Sequence, residues 1–408
     1  MKKCFTLIIL ILEIGIIKSQ NTWTQMSNVG GVTRQAATGF GIGHKGYICL
    51  GFNAATTNLL DDLWEYDPSI NTWTQKANYG GTARANPSCF VIGNYAYVGL
   101  GTDAYPVFNY RTDFWKYDPS TNSWSQIANF GGTARYDAVG FAIGNKGFIG
   151  TGYDPNTLND FWEYNSITDS WVQKANVPGG PRQGAVGFAL GAYGYIGTGE
   201  YSGSAYSDFY KYDTTANIWD TITNFPTIEF GLVHFEIGNK AYLGTGTTTY
   251  PAFTLLNHFW EFDPSNNTWT PVAAMGGTPR LNTLAFAIDS FGYCGTGAYN
   301  GYSSDLNDFW KYAPLDNGID DPSLSAFNLS VYPNPASSQF KINYASLQNV
   351  TVEIKISDIS GKIILSENQK QYKGVNEFSF DLTDKMKGIY FIELISNNNI
   401  QTKKIVLE

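Results

Sequence analysis

Charged and chemically reactive side chains are scarce in this sequence. Only 15% of its 408 residues are charged, and it contains 3 histidines. His44, His234 and His258 stand in different repeat positions, and their loops do not suggest a shared metal site. The chain also lacks the GxSxG, HExxH, EF-hand and P-loop patterns. We therefore expect no metal, no cofactor and no enzymatic activity.

A positive net charge is missing as well, and the sequence has a single long apolar run. The formal net charge of -9 argues against nucleic acid as a partner. The one long apolar run, Phe5–Ile17, follows two lysines and precedes Ser19, which predicts a signal peptide over residues 1–19 and a mature chain starting at Gln20. The run is too short for a good membrane span, and no other segment predicts a transmembrane helix.

Cysteine is rare, and its positions do not predict a disulfide framework. Three cysteines remain in the predicted mature chain: Cys49, Cys89 and Cys294. They are odd in number and lie in strand-like runs. We expect buried free thiols.

Glycine and aromatic residues are abundant, and they recur at a period near fifty residues. The tryptophan of an "NTW"-like motif recurs six times: Trp23, Trp73, Trp124, Trp171, Trp219 and Trp269. The last aromatic residue of a "DFW"-like motif also recurs six times: Trp64, Trp115, Trp162, Tyr210, Trp260 and Trp310. Between these landmarks, period-two alternation and turn residues predict four short strands per unit, and hence an all-β protein.

The period near fifty, with a glycine-rich strand end such as Gly-Thr-Gly or Gly-Leu-Gly, then a turn such as Tyr-Asp-Pro, then Trp, resembles the kelch repeat, including the kelch-like propeller of galactose oxidase. The resemblance covers about residues 21–315 and implies a six-bladed kelch β-propeller over residues 20–315. The copper ligands of galactose oxidase cannot be placed here. The sixth copy lacks its "NTW" strand and the first copy has an extra one. We therefore expect the N-terminal strand to close the ring as the outer strand of blade six.

The composition changes after an acidic, turn-rich linker at residues 316–327. The order "VYPNPASSQFKI", "DISGKIIL", "KGIYFIELI" and "KKIVLE" resembles the type A sorting domain of the type IX secretion system. That resemblance implies a small Ig-like β-sandwich over residues 328–408, recognition by the type IX machinery, and export through the periplasm to the outer cell surface or the medium. It points to the Bacteroidota. The alternative is an ordinary Ig-like binding module.

Arginine is the most informative charged residue. Five of the six arginines occupy one repeat position: Arg34, Arg84, Arg135, Arg182 and Arg280. The fifth unit has Glu229 there, and it also has His258 where the others have an aspartate before "FW". Because both positions change together, we expect the arginine and the aspartate to pair. The alternative is a basic pocket for an acidic ligand, similar to that of kelch adaptor propellers. The sixth arginine, Arg111, has no repeat counterpart, and we expect it to contact a ligand.

The loops predicted to share a face with these arginines are aromatic. The candidate ligand-binding tyrosines are Tyr105, Tyr110, Tyr153, Tyr201, Tyr206, Tyr250 and Tyr302. Aromatic faces stack on sugar rings. The sequence therefore predicts a secreted or cell-surface, non-catalytic protein that binds a glycan or another surface protein. The alternatives are a carbohydrate-active enzyme, such as a sugar oxidase or a sialic acid isomerase, and a purely structural surface protein.

Overall fold

The computed structural model describes residues 21–248, 254–300, 303–314, 329–346, 350–359, 361–372, 374–396 and 399–408. The chain divides into two compact units, Met1–Leu315 and Asp316–Glu408. The predicted signal peptide and linker lie outside the described residues. Regular secondary structure in the described part consists of strands alone, which confirms the all-β class. A search of the same residues for a helix long and apolar enough to cross a membrane found none.

Six four-stranded antiparallel sheets form the first unit. Their strands, in spatial order, are the following. Sheet 1 contains Thr38–Ile42, Lys45–Cys49, Leu63–Asp67 and Thr72–Gln75; sheet 2 contains Ser88–Ile92, Tyr95–Gly99, Phe114–Asp118 and Ser123–Ile127; sheet 3 contains Val139–Ile143, Lys146–Gly150, Phe161–Asn165 and Ser170–Lys174. Sheet 4 contains Val186–Leu190, Tyr193–Gly197, Phe209–Asp213 and Ile218–Thr221; sheet 5 contains Val233–Ile237, Lys240–Gly244, Phe259–Asp263 and Thr268–Val272; sheet 6 contains Leu284–Ile288, Phe291–Gly295, Phe309–Ala313 and Thr22–Met26.

In the described part of the chain, three of the loops between the second and third strands contain a small hairpin whose two strands have two residues each. The hairpins pair Phe52–Asn53 with Asn58–Leu59, Glu200–Tyr201 with Ser204–Ala205, and Ala298–Tyr299 with Ser304–Asp305. Each hairpin lies at the same end of its sheet as the segment that precedes the first strand. Isolated β-bridges join the hairpin to that segment.

Within each sheet, burial falls from the inner strands to the outer strand. In sheet 1, four of the five residues of Lys45–Cys49 are buried, whereas Thr72–Gln75 has none. The first strands of neighbouring sheets contact one another from sheet 1 to sheet 6, and that of sheet 6 contacts that of sheet 1. The hydrophobic core therefore lies between the faces of successive sheets.

The repeated Asn-x-Trp motif joins each outer strand to the neighbouring sheet. In sheet 2, Asn122 Oδ1 accepts a hydrogen bond from the backbone N–H of Ala77 at 2.9 Å, and Trp124 Nε1 donates to the carbonyl of the same alanine at 3.1 Å. The same pair of bonds recurs in every sheet, with Asp169 in place of the asparagine in sheet 3. The tryptophans and their neighbours are Trp73 and Ser27, Trp124 and Ala77, Trp171 and Ala128, Trp219 and Ala175, Trp269 and Thr223, Trp23 and Ala273. We call this contact the Asn-x-Trp clamp; it accounts for one of the two aromatic landmarks.

The N-terminal strand belongs to the last sheet, as expected from the sequence. Thr22–Met26 pairs antiparallel with Phe309–Ala313. Trp23 packs on the rings of Phe259 and Tyr312 at 4.8 and 5.1 Å. Its side chain is partly buried, because the outermost strand keeps one side toward solvent.

The second unit contains a three-stranded and a four-stranded antiparallel sheet around one core. The first has Ser330–Tyr332, Gln339–Ser346 and Gly374–Asp381, and the second has Ile363–Gln371, Val350–Asp358, Gly388–Ser396 and Asn399–Leu407. Both sheets contribute to a single buried cluster, with Phe340 and Ile342 from the first and Ile354, Ile356 and Ile392 from the second.

The three cysteines among the described residues are free thiols, as the sequence predicts. Cys49 and Cys294 are buried, and Cys89 is partly buried. Burial raises the pKa of the Cys89 and Cys294 thiols to about 11. These thiols are therefore protonated and poorly nucleophilic at neutral pH.

Candidate functional site

Five arginines form buried forks with an aspartate of their own sheet. Arg84, just before the first strand of sheet 2, donates from both terminal nitrogens to the two Asp113 oxygens, each at 2.8 Å. Arg84 Nη1 also donates to the carbonyl of Leu100 at 3.0 Å. The same arrangement joins Arg34 to Asp62, Arg135 to Asp160, Arg182 to Asp208 and Arg280 to Asp308. The fork ties the entrance of the first strand to the end of the second and the start of the third.

The aspartate of each fork also holds the aromatic residue two positions later. Trp115 Nε1 donates to Asp113 Oδ2 at 2.9 Å, and Tyr210 in sheet 4 donates its hydroxyl to Asp208 at 2.8 Å. Burial raises the pKa of Asp113, but the hydrogen bonds and charge of Arg84, with help from Trp115, lower it overall. The spacing of "DFW" is therefore explained by one carboxylate that binds two donors.

Sheet 5 replaces the fork by a different pair. Glu229 is fully buried, and His258 Nε2 lies 2.9 Å from its Oε1. Trp260 Nε1, which donates to an aspartate in the sister sheets, is buried here without a hydrogen-bond partner. The concerted change of both positions, read from the sequence, therefore reflects a direct contact.

The five fork arginines are inaccessible from the surface. All five are 0% exposed, although Arg84 lies beneath the surface depression that also contains Arg111. Their geometry favours the structural interpretation over the acidic-ligand interpretation. Arg111 is 38% exposed and donates from Nε to Asp103 at 2.6 Å. It lies in a shallow surface depression with Tyr110, separate from the cavity described next.

A ring of unusual turns borders that cavity. One residue from each sheet, two positions before the first strand, has a φ of about 50 to 70°: Ala36, Asn86, Asp137, Gly184, Gly231 and Asn282. This left-handed region favours glycine, asparagine and aspartate, which fill five of the six positions. Backbone hydrogen bonds link several of them across sheets, for example from Asn86 N to Ala36 O at 2.8 Å and from Ala36 N to Asn282 O at 2.9 Å. All six sheets therefore converge on this point.

The cavity at this convergence has a volume of about 670 Å³, a usual size for a small-molecule site. Its polar wall consists of Gln35, Asn86, Asp137, Gln183, Glu200 and Asn282. Asn86 donates to Asp137, and Gln183 donates to Glu200. Burial and the charge of Glu200 raise the pKa of Asp137 to about 7, although the hydrogen bond from Asn86 acts in the opposite direction.

A row of aromatic rings leads from the cavity across sheets 1 to 3. We call it the aromatic strip: Phe52, Tyr105, Phe108, Tyr110, Tyr136 and Tyr153. Tyr105 and Phe108 are 56% and 46% exposed. Phe108 stacks on Tyr136 at a centroid distance of 5.6 Å, and Tyr136 contacts Tyr153 at 5.5 Å. The strip offers open ring faces next to hydrogen-bonding groups.

The structure divides the predicted tyrosines into three groups. Tyr105, Tyr110 and Tyr153 belong to the aromatic strip, and Tyr105 lines the cavity. Tyr201 is exposed on a hairpin beside the cavity, whereas Tyr206 packs against the guanidinium of Arg182 at 4.7 Å. The remaining candidates, Tyr250 and Tyr302, lie outside the described residues.

Sequence reasoning missed the polar wall. Asn86 and Asp137 directly follow the segments "TARA" and "TARY", in which the arginine is the rarer and more conspicuous residue. The available signal was the recurrence of Asn, Asp or Gly two residues after the fork arginine. In the described part of the chain, no group of three or more His, Cys, Asp and Glu side chains is placed to hold a metal ion.

Comparison with known proteins identifies the second unit. Residues 330–408 match the family model of the secretion system C-terminal sorting domain. The match confirms the sorting domain predicted at residues 328–408. It indicates a type IX secreted protein that interacts with that machinery and is exported to the cell surface or released from the cell.

A further similarity concerns a carbohydrate-active enzyme. The chain is 28% identical over 116 residues to an endo-acting ulvan lyase of Formosa agariphila. The match covers 26% of this chain and 20% of the lyase. This chain therefore spans about a fifth of the length of that relative.

Proposed function

We propose that the six sheets are the blades of a six-bladed kelch β-propeller. The contacts between successive first strands, from sheet 6 back to sheet 1, support this proposal. The six Asn-x-Trp clamps support it too, because Trp73 of sheet 1 binds Ser27 of sheet 6 in the same way that every other clamp binds its neighbour. In this fold the cavity lies at one mouth of the central channel, where propellers commonly place their sites.

We further propose that the protein is a non-catalytic glycan-binding protein of the cell surface or the medium. The observation that carries this proposal is the exposed aromatic strip that runs into a cavity with a polar wall. Sugar rings stack on aromatic faces, while amide and carboxylate groups bind hydroxyls. Phe108 and Tyr105 supply the faces, and Asn86 and Asn282 supply amide groups. The proposed occupant is an oligosaccharide that lies along the strip with one end in the cavity.

A glycan array that includes ulvan tests this function with the full chain. Y105A/F108A should weaken binding of the recognised glycan by about tenfold or more, because two stacking contacts are lost. Y193A is the matched control, since Tyr193 is 39% exposed and begins the second strand of sheet 4 at the end opposite the cavity. Equal losses in both variants, or no bound glycan, would contradict the proposal.

A second candidate is a carbohydrate-active enzyme, and one observation favours it. The cavity contains two carboxylates, Asp137 and Glu200, and burial with the charge of Glu200 raises the pKa of Asp137 to about 7. A carboxyl group protonated near neutral pH can act as a general acid. The similarity to an ulvan lyase supports the same class. New chain ends from a bound polysaccharide, absent with D137N, would favour this candidate over binding alone.

A further inference from the structure

The cavity is lined by acidic and not by basic side chains, and this restricts the kind of glycan that it can bind. Among the described residues that line it, Asp137 and Glu200 are acidic, and none is a lysine, arginine or histidine. Both carboxylates bind amides of the same wall, Asn86 and Gln183. An amide is a neutral partner, so it satisfies hydrogen bonds without cancelling charge.

The other polar groups near the cavity do not compensate these carboxylates. Asp305 accepts hydrogen bonds from Gln35 and from the backbone of Ala54, and burial raises its pKa. Burial and the charge of Glu200 raise the pKa of Asp137, which is the direction expected for a carboxylate that lacks a cation nearby. The cationic groups of the same end of the sheets are committed elsewhere: Arg84 to Asp113, and Arg111 to Asp103.

The rest of the site suits a cation. Aromatic faces attract ammonium groups through their negative π surface, and Phe52, Tyr105, Phe108, Tyr136 and Phe230 line the cavity. One amide oxygen in the wall, Gln183 Oε1, is buried without a hydrogen-bond partner and can accept an N–H donor. An anionic group would meet two carboxylates instead and would lose its hydration without gaining a counter-charge.

We propose, on the basis of the glycan-binding function above, that the sugar unit that enters the cavity carries a free amino group, so the ligand is an amino-sugar oligosaccharide. Its ammonium lies against Asp137 and Glu200, and its ring stacks on the aromatic strip. Uronate-rich or sulfated chains are excluded by the same carboxylates. The fork arginines play no part in this selection because they are 0% exposed.

Calorimetric titration of the full chain with three oligosaccharides of equal length tests the proposal, at a pH where the amine is protonated. The ligands are a glucosamine oligomer, its N-acetylated counterpart and a uronic acid oligomer. The amine should bind about tenfold more tightly than the N-acetylated form, and the uronate should bind least. Tighter or equal binding of the N-acetylated or uronic acid oligomer would overturn the inference while leaving glycan binding intact. Failure of all three to bind, together with an empty glycan array, would instead refute the proposed function.

Charge variants locate the effect. D137N/E200Q should weaken binding of the amine by a larger factor than binding of the N-acetylated form, and so remove the preference for the amine. D220N/D289N is the control, because it removes the same two charges from exposed positions outside the cavity. If D137N/E200Q does not fold, E200Q alone should still reduce the preference, and the three-ligand comparison on the wild type decides the question by itself. A preference that survives in D137N/E200Q or E200Q would overturn the assignment to these carboxylates.

Discussion

Removal of one fork arginine should measure what the repeated "GGTAR" segment contributes to the fold. In R84A, Asp113 loses both fork hydrogen bonds, and the carbonyl of Leu100 loses a donor. Breaking a buried ion pair from one side costs about 3 to 5 kcal/mol. Asp113 keeps 22% exposure and can be rehydrated, so we expect the lower end, about 3 kcal/mol.

Urea unfolding followed by tryptophan fluorescence is the appropriate assay, because all 11 tryptophans lie between Trp23 and Trp310, within the first unit. R111A is the matched control: Arg111 is 38% exposed, and its partner Asp103, although only 7% exposed, keeps hydrogen bonds from Thr82 and Asn109. R111A should therefore cost clearly less than R84A. The double variant R84A/D113A should lose at least about 1 kcal/mol less stability than the sum of the losses of the two single variants.

The pH dependence of the stability follows from the direction in which the pKa of Asp113 is shifted. Its pKa is lower in the folded protein than in the unfolded chain, because the Arg84 contacts outweigh the effect of burial. The stabilisation is therefore complete above the ordinary aspartate pKa of about 4 and is lost as the pH falls through the folded value. The difference in the free energy of unfolding between wild type and R84A should become smaller below about pH 4. A loss under about 1 kcal/mol at neutral pH would refute the structural interpretation of the forks.

Three further predictions concern closure, the exceptional sheet and export. W23A should destabilise the first unit by about 3 kcal/mol, since a large aromatic side chain and one clamp are lost; a loss below about 1 kcal/mol in the urea assay would mean that the N-terminal strand is dispensable. E229R/H258D should raise the midpoint of unfolding, because it restores a fork and gives Trp260 Nε1 an acceptor, whereas E229R alone should lower it; the reverse order would disprove equivalence of the two pairs. Deletion of residues 328–408 should leave a folded first unit in the periplasm, and fusion of these residues to a reporter should export it; normal secretion of the truncated protein, measured by immunoblot of the medium, would exclude this role.

Much of the fold was predictable because the same local structure is encoded six times along the chain. The clamp needs a left-handed Asn or Asp followed by a Trp, and the fork needs Arg and Asp at fixed positions, so both leave sequence signatures. The paired departure at Glu229 and His258 even revealed the contact between the two positions. The sequence does not show that Trp23 is only partly buried, because that depends on its strand being the outermost of its sheet.

The site was less predictable because it is made by convergence and not by a local motif. Asn86, Asp137 and Glu200 come from three sheets, and the repeat position shared by Asn86 and Asp137 does not show that their side chains meet Glu200. Their proximity depends on the curvature that brings six strand entrances together. The arginines are few and recur at one repeat position, which predicts that they have a specific role. Their rarity does not show whether that role is a buried fork or a ligand contact. Burial, which depends on the packing of neighbouring sheets, makes that distinction.

A crystal structure of the full chain with the tightest-binding oligosaccharide tests the central claim most directly. We predict one sugar ring stacked on Phe108 or Tyr105 and a terminal unit within hydrogen-bonding distance of Asn86 and Asp137, with all five forks unchanged. An oligosaccharide bound away from both the aromatic strip and the cavity, or bound to an arginine released from its aspartate, would contradict it.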